Sequence, residues 1–135
     1  MRMRLRKVMQ GILSVTFFVV IFQCIFFLAG IFLPGTCNAD GAFSLSLPSS
    51  LIIFFSISVL LLFFFFWLGE DERSLSFAWI ILMAAGASNL LERIFFGCVY
   101  DYIHVPYFTS FNAADAFLTV SIVYFFIVKM QNKTA

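Results

Sequence analysis

The apolar residues of this chain neither alternate nor stripe one helix face; they run on. Four stretches, at about residues 8–34, 51–68, 75–96 and 108–128, consist almost wholly of Phe, Ile, Leu, Val and Ala, with short polar breaks between them. A bilayer core takes roughly 20 consecutive apolar residues as a helix, and each stretch is near that length. The pattern predicts an all-α integral membrane protein, one four-helix transmembrane domain over residues 1–135, with short loops and no soluble domain. No internal repeat is visible. The Phe-rich run LLLFFFFWLG reads as lipid-facing surface that ends with Trp67 at an interface.

Composition agrees and excludes the soluble classes. The chain is 63% hydrophobic, 20% aromatic and only 11% charged, with a mean hydropathy of +1.06. A soluble domain of this size would need a polar surface that is missing. The net charge of +1 says little, but the positions of the charges say more. Arg2, Arg4, Arg6 and Lys7 precede the first stretch, Arg73 lies between the second and third, and Lys129 and Lys133 follow the fourth. With an even number of spans these share one side, which the positive-inside rule makes cytoplasmic. Both termini are then cytoplasmic, and loops 35–50 and 97–108 face outward. The basic start MRMRLRK imitates a signal peptide. Its apolar run is longer than the h-region of about 7–15 residues, and no small-x-small site closes it, so the first helix is expected to stay.

Two acids stand out on the outer side, in CVYDYIHVPYFTSFNAADAF: Asp101 in the third loop and Asp115 about two turns into the fourth stretch. A carboxylate near hydrocarbon costs a few kcal/mol on insertion scales, so it marks a function. Two carboxyls brought close cannot easily both ionise and share one proton. Such a pair hydrolyses a peptide bond: one member takes a proton from water while the other polarises the carbonyl. The bland alternatives are ion transport, helix association or a salt bridge to Arg93. His104 is the only histidine, too few nitrogens for a usual zinc site, and neither metal nor cofactor is expected. Asn89, Glu92 and Arg93 lie three and four residues apart and share one helix face beside Asp101. The small residues Ala84–Ser88 precede them and admit a neighbouring helix closely. Asn112 falls three residues before Asp115, on the same face. Of the three cysteines, Cys37 and Cys98 both fall in outer loops, as a disulfide or as free thiols.

Four short motifs then occur in order. NADGAFS follows the first stretch, NLLER ends the third, GCVYDY comes next, and FNAAD opens the fourth. The set resembles the lipoprotein signal peptidase (signal peptidase II) family. That family has an Asn-x-x-x-Ala-Phe-Ser type motif, then Asn-x-x-Asp-Arg, Gly-x-Val-x-Asp-Phe and Phe-Asn-x-Ala-Asp. The resemblance spans all four stretches. It implies that Asp101 and Asp115 are the catalytic pair, and that Asn38, Asn89, Glu92, Arg93 and Asn112 bind substrate or support the site. Three departures accompany it. Glu92 stands where the family has Asp, and Tyr102 stands for Phe. The first-helix pattern Asp-Gln-x-x-Lys is reduced to its Gln in Phe22-Gln23-Cys24-Ile25-Phe26.

The resemblance implies an aspartic endopeptidase of the bacterial inner membrane, acting as a monomer. Its substrate would be a prolipoprotein whose cysteine bears diacylglycerol, cut just before that cysteine at the outer face, with membrane lipid as the other partner and no nucleic acid. A weakened homologue that binds lipopeptides and a small transporter using Asp115 for ion coupling are the alternative readings. Tyr100, Tyr102, Tyr107 and Phe108 read as an interface belt or a lid over the pair.

Overall fold

The basic start of the chain belongs to the first helix itself. The computed structural model describes residues 2–40, 46–107 and 109–134. Helix α1 covers Arg2–Phe32, at 1.5 Å per residue longer than a hydrocarbon core of about 30 Å. Its first turns therefore reach beyond the apolar layer, where arginine and lysine are tolerated. Helices α2 (Ser49–Leu68), α3 (Arg73–Phe96) and α4 (Ala113–Thr134) follow. All four are long and apolar enough to cross a membrane, so the expected all-α membrane architecture holds. One element was not anticipated: strands β1 (Thr36–Asn38) and β2 (Val99–Asp101) pair antiparallel, Thr36 opposite Asp101 and Asn38 opposite Val99.

α3 is the central helix and packs against each of the other three. Ala84 and Ala85 are completely buried, in a cluster with Phe22 of α1 and Ala114 of α4. Without long side chains here, dispersion contacts between closely approaching helices replace the hydrophobic drive that lipid removes. α2 is peripheral and buries only Ile52 and Trp67. Phe54, Phe55, Phe65 and Phe66 point outward, as the Phe-rich run predicts for lipid contact. Trp67 departs from that reading. It is 2% exposed, its Nε1 donates to Ser76 Oγ at 2.9 Å, and the Lys7 ammonium sits 5.5 Å from its ring centre. An indole beside a helix end has an N–H to satisfy, and α3 supplies the acceptor.

α4 begins at Ala113, five residues later than the apolar pattern suggests. The intervening chain is held as a loop by Ile103 and Phe111, whose backbone N–H groups donate to each other's carbonyls at 2.9 and 3.1 Å. Asp115 consequently stands in the first turn of α4 rather than two turns inside it. The two ends of the bundle now differ in content. Lys7, Glu70 and Lys129 meet at one, and β1, β2 and residues 102–107 and 109–112 gather at the other.

Candidate active site

Each acid is delivered by its own piece of local structure. α3 closes at Gly97, whose φ of +77° lets the chain turn sharply, with its N–H donating to Arg93 O at 3.0 Å. Only glycine adopts this left-handed conformation without strain. The turn sends the chain through Cys98 into Val99-Tyr100-Asp101, which runs back across the end of the bundle as β2. Gly35 is required beside it. A Cβ there would stand 2.5 Å from the Tyr100 ring and 2.9 Å from Asp101 O.

Asp115 is held differently. Asn112 caps α4: its Oδ1 accepts from Asp115 N at 2.9 Å, and Asp115 Oδ2 accepts from Asn112 N at 3.2 Å. That reciprocal pair is a capping box built from Asn-x-x-Asp, so FNAAD serves as a helix start as well as a source of an acid. The same motif orients the carboxylate, because one of its oxygens is committed to its own helix terminus.

Neutral amides complete both holds. Asn38 Nδ2 donates to Asp101 Oδ2 at 2.9 Å, and Asn89 Nδ2 donates to Asp115 Oδ1 at 2.8 Å. Asn112 Nδ2 in turn donates to Asn89 Oδ1 at 3.0 Å, which fixes the Asn89 amide with its N–H toward Asp115. Asp101 is 3% exposed, and its Oδ1 is buried without a hydrogen-bond partner. Burial pushes the Asp101 carboxyl above its ordinary value of 3.8. The Asn38 hydrogen bond pulls it down, the Asp115 charge pushes it up, and Arg93 and His104 pull it down. The two acids thus feel each other electrostatically, as a shared-proton pair requires.

Glu92 and Arg93 do separate things. Glu92 is buried and its Oε2 accepts from the backbone N–H of Tyr100 at 3.2 Å, so it ties α3 to β2. Arg93 reaches toward the first loop, with Nη2 donating to Asp40 O at 3.3 Å and Nη1 to Asn89 O at 3.5 Å. Its Nε is buried without a partner. Among the described residues, none of Glu92, Asp101 and Asp115 comes within ion-pairing distance of it, so the simple salt-bridge alternative is not what the fold builds. All seven candidate residues therefore lie at one end of the bundle, linked through α3, α4 and the β1–β2 ribbon. Residues 41–44, the Gly-Ala-Phe-Ser part of NADGAFS, and Phe108 lie outside the described residues.

One feature escaped the sequence reading, and a second decides an alternative that it left open. Tyr102 Oη accepts from Ala113 N at 3.0 Å, satisfying a donor at the start of α4 that would otherwise be orphaned. Burial and the surrounding carboxylates hold this phenol above its ordinary range, against the pull of the Ala113 bond, so it stays neutral. The replacement of Phe by Tyr was the available signal. Tyr100 also turns inward, donating from Oη to Leu33 O at 2.9 Å, while Tyr107 is fully exposed at the loop tip. The second feature is covalent: Cys37 and Cys98 form a disulfide with Cα atoms 5.6 Å apart. The first-helix departure also has a structural counterpart. Phe22 is buried against Phe117, ring centres 5.5 Å apart, and Gln23 Nε2 donates to Ser88 Oγ at 2.8 Å. Phe22, Phe26, Ser88, Glu92 and Asn112 line a void too small for a ligand.

Comparison with known proteins agrees with this fold. The lipoprotein signal peptidase of Streptococcus pneumoniae is 28% identical over 103 residues, covering 71% of this chain and 66% of that protein. The enzyme of the same name from Desulforapulum autotrophicum is 31% identical over 108 residues, covering 71% and 67%. The chain thus spans about two thirds of the length of these relatives. A bacterial membrane enzyme solved by the in meso method at 2.3 Å superposes with a TM-score of 0.79 at 20% identity, over 92% of this chain and 89% of that one, which establishes the common fold. The family model described as signal peptidase (SPase) II matches residues 32–131, a stretch that runs from the end of α1 through every motif of the site, and the chain belongs to that family.

Proposed function

We propose that this chain is an intramembrane aspartic endopeptidase that removes signal peptides from diacylglyceryl-modified bacterial prolipoproteins, cutting just before the lipidated cysteine. The observation that carries the proposal is the pair of separately anchored acids. Asp101 is held by Asn38 and Asp115 by Asn89, and Asp101 Oδ1 is left without a partner. A buried oxygen with no internal partner is costly unless something binds there. Water can donate to it, and when this carboxyl is protonated a scissile carbonyl can accept from it.

In this reading the ionised aspartate draws a proton from water, and the resulting hydroxide adds to the scissile carbonyl carbon. The protonated aspartate gives its proton to the carbonyl oxygen. As the tetrahedral species collapses, the C–N bond breaks and a proton passes to the leaving amine of the lipidated cysteine. Arg93 binds the peptide backbone, while Asn112 and Asn89 keep Asp115 oriented. Catalysis runs through the two carboxyls without a metal, and the lipid tails of the substrate stay among the outward-facing Phe and Leu side chains. The site faces the outside of the bacterial inner membrane, with both termini cytoplasmic. The disulfide supports this orientation, because such bonds persist in oxidising compartments. The domain is one peptidase unit and acts as a monomer.

The test is cleavage of a diacylglyceryl-modified prolipoprotein by the purified protein in lipid nanodiscs, wild type beside Asp101→Asn and Asp115→Asn. Each substitution is expected to lower kcat by about 10²–10⁴-fold, the range of a lost general acid or base. A wild type that binds the lipopeptide without cutting it would replace this reading with that of a binding protein. Near-full activity in either variant would exclude the two-acid mechanism.

A further inference from the structure

The Asn38–Asp101 hydrogen bond bridges a very short ribbon. β1 and β2 are three residues each, and a two-stranded pair of that length is marginal by itself. β2 is well anchored: Val99 and Asp101 are buried, and the Tyr100 N–H donates to Glu92. β1 is less so: Thr36 and Cys37 are exposed, Asn38 is half-buried, and two residues beyond it Asp40 O accepts from Arg93. The strand carrying the amide is therefore the more exposed partner, and the strand carrying the acid is the more buried one.

The Cys37–Cys98 disulfide ties β1 to the residue immediately before β2. It spans 61 residues of sequence, so it connects the segment after α1 directly to the segment after α3. Cys37 immediately precedes Asn38, and Cys98 lies three residues before Asp101. We infer that the disulfide is a positioning device for the acid pair: by clamping β1 onto β2 it keeps the Asn38 amide on the Asp101 carboxylate, and Cys37 and Cys98 are positioning residues for hydrolysis. The inference rests on the peptidase reading for its kinetic arm only.

The electrostatic surroundings give the clamp a distinctive signature. Asp101 faces Glu92 and Arg93 from α3, Asp115 from α4, Tyr102 and His104 from its own loop, and Asn38 from β1. Of these, Asn38 supplies a direct hydrogen bond to the carboxylate, opposing the upward push of burial. Releasing it moves Asp101 titration to higher pH. Loss of a staple that merely stiffens the protein leaves that titration where it was.

The experiment compares oxidised protein, protein reduced by a water-soluble phosphine, and the double variant Cys37→Ser/Cys98→Ser, all in nanodiscs. The phosphine takes the disulfide to two thiols and is itself oxidised to the phosphine oxide; thiol labelling verifies the state. Cys24→Ser, at the exposed free cysteine of α1, is the control. Cleavage kinetics are read as a function of pH, and Asp101 titration is read by carbon-13 NMR of the carboxyls against Asp101→Asn.

Opening the clamp is expected to lower kcat about tenfold, the size of one charge-assisted hydrogen bond, with KM within about twofold. The pH–rate profile and the Asp101 titration should both rise by about one unit, reoxidation should restore them, and Cys24→Ser should change nothing. An unchanged kcat and titration in verified reduced protein would overturn the inference. A lower thermal midpoint with raised KM and an unmoved titration would also overturn it, marking a purely structural bond. If oxidised wild type does not cleave, the peptidase reading fails, and the Asp101 titration on reduction still decides the clamp. Because reduction acts on folded wild-type protein, the result does not depend on the double variant folding.

Discussion

The two ends of the bundle handle charge in opposite ways. At the end holding both chain termini, Lys7 Nζ donates to the carbonyls of Glu70 (2.6 Å) and Leu68 (3.3 Å), closing the C-terminus of α2. Lys129 pairs with Glu70 at 3.6 Å, with the lysine 50% exposed. A cation at a helix C-terminus and an ion pair whose lysine stays half in water, its glutamate 13% exposed, satisfy themselves cheaply. At the other end Glu92 and Asp101 are buried, and neutral Asn amides rather than cations hold Asp101 and Asp115. One oxygen of Asp101 and the Nε of Arg93 have no partner there. Among the described residues Trp79 Nε1 is the other buried side-chain atom without a partner, but it is a neutral donor among aromatic rings. Only at the Asp101 end does unused capacity belong to charged groups that can act on a substrate.

That contrast can be broken by mutation, and the effects should fall in order. The largest is the loss of cleavage in Asp101→Asn and Asp115→Asn. Asp101→Asn should carry a second signature in stability. Its folded carboxyl lies above the ordinary 3.8, so the favourable contribution of the protonated form is complete below 3.8 and is lost as pH rises through the folded value. The variant should therefore have a higher thermal midpoint than wild type at neutral pH, with the gain shrinking as the pH falls toward 3.8. A midpoint difference that is independent of pH would contradict this.

Asn89→Ala comes next. It removes the donor to Asp115 and the acceptor for Asn112 together. Hydrogen bonds to charged groups contribute about 1.5–3 kcal/mol, so kcat should fall about 10–100-fold, measured on the same lipopeptide substrate. Tyr102→Phe restores the family's residue but orphans Ala113 N–H. It should cost about 1 kcal/mol of stability, read from the shift in thermal midpoint, with activity reduced less than in Asn89→Ala. Smallest of all is Lys129→Ala at the opposite end: at most about 1 kcal/mol and unchanged cleavage. A large loss of activity in that variant would remove the distinction between the two ends.

Much of this layout is legible in the chain's own pattern. Hydrophobic run lengths specify four helices because a bilayer accepts little else. The motif order brings Asn38, Asn89, Glu92, Arg93, Asp101, Asn112 and Asp115 to one end, since alternating spans deliver alternate loops to the same side. Other particulars depend on long-range partners. Trp67 reads as an interfacial aromatic, yet Ser76 and Lys7 draw it inward. The fourth apolar run starts at about residue 108, but Asn112 is the cap, because the Ile103–Phe111 pairing diverts the residues before it. Glu92 reads as a displaced Asp, and its reach to Tyr100 N–H needs the turn at Gly97.

The sequence by itself determined the solvent, the number of spans and the set of polar residues at one end, because burial of apolar length and the cost of charge in lipid are local properties of a segment. Only the tertiary structure decided which amide holds which acid, that Cys37 and Cys98 join, and that Asp101 keeps one oxygen free. Those outcomes turn on ångström-scale distances between residues up to 63 positions apart, and no local pattern in the chain encodes them.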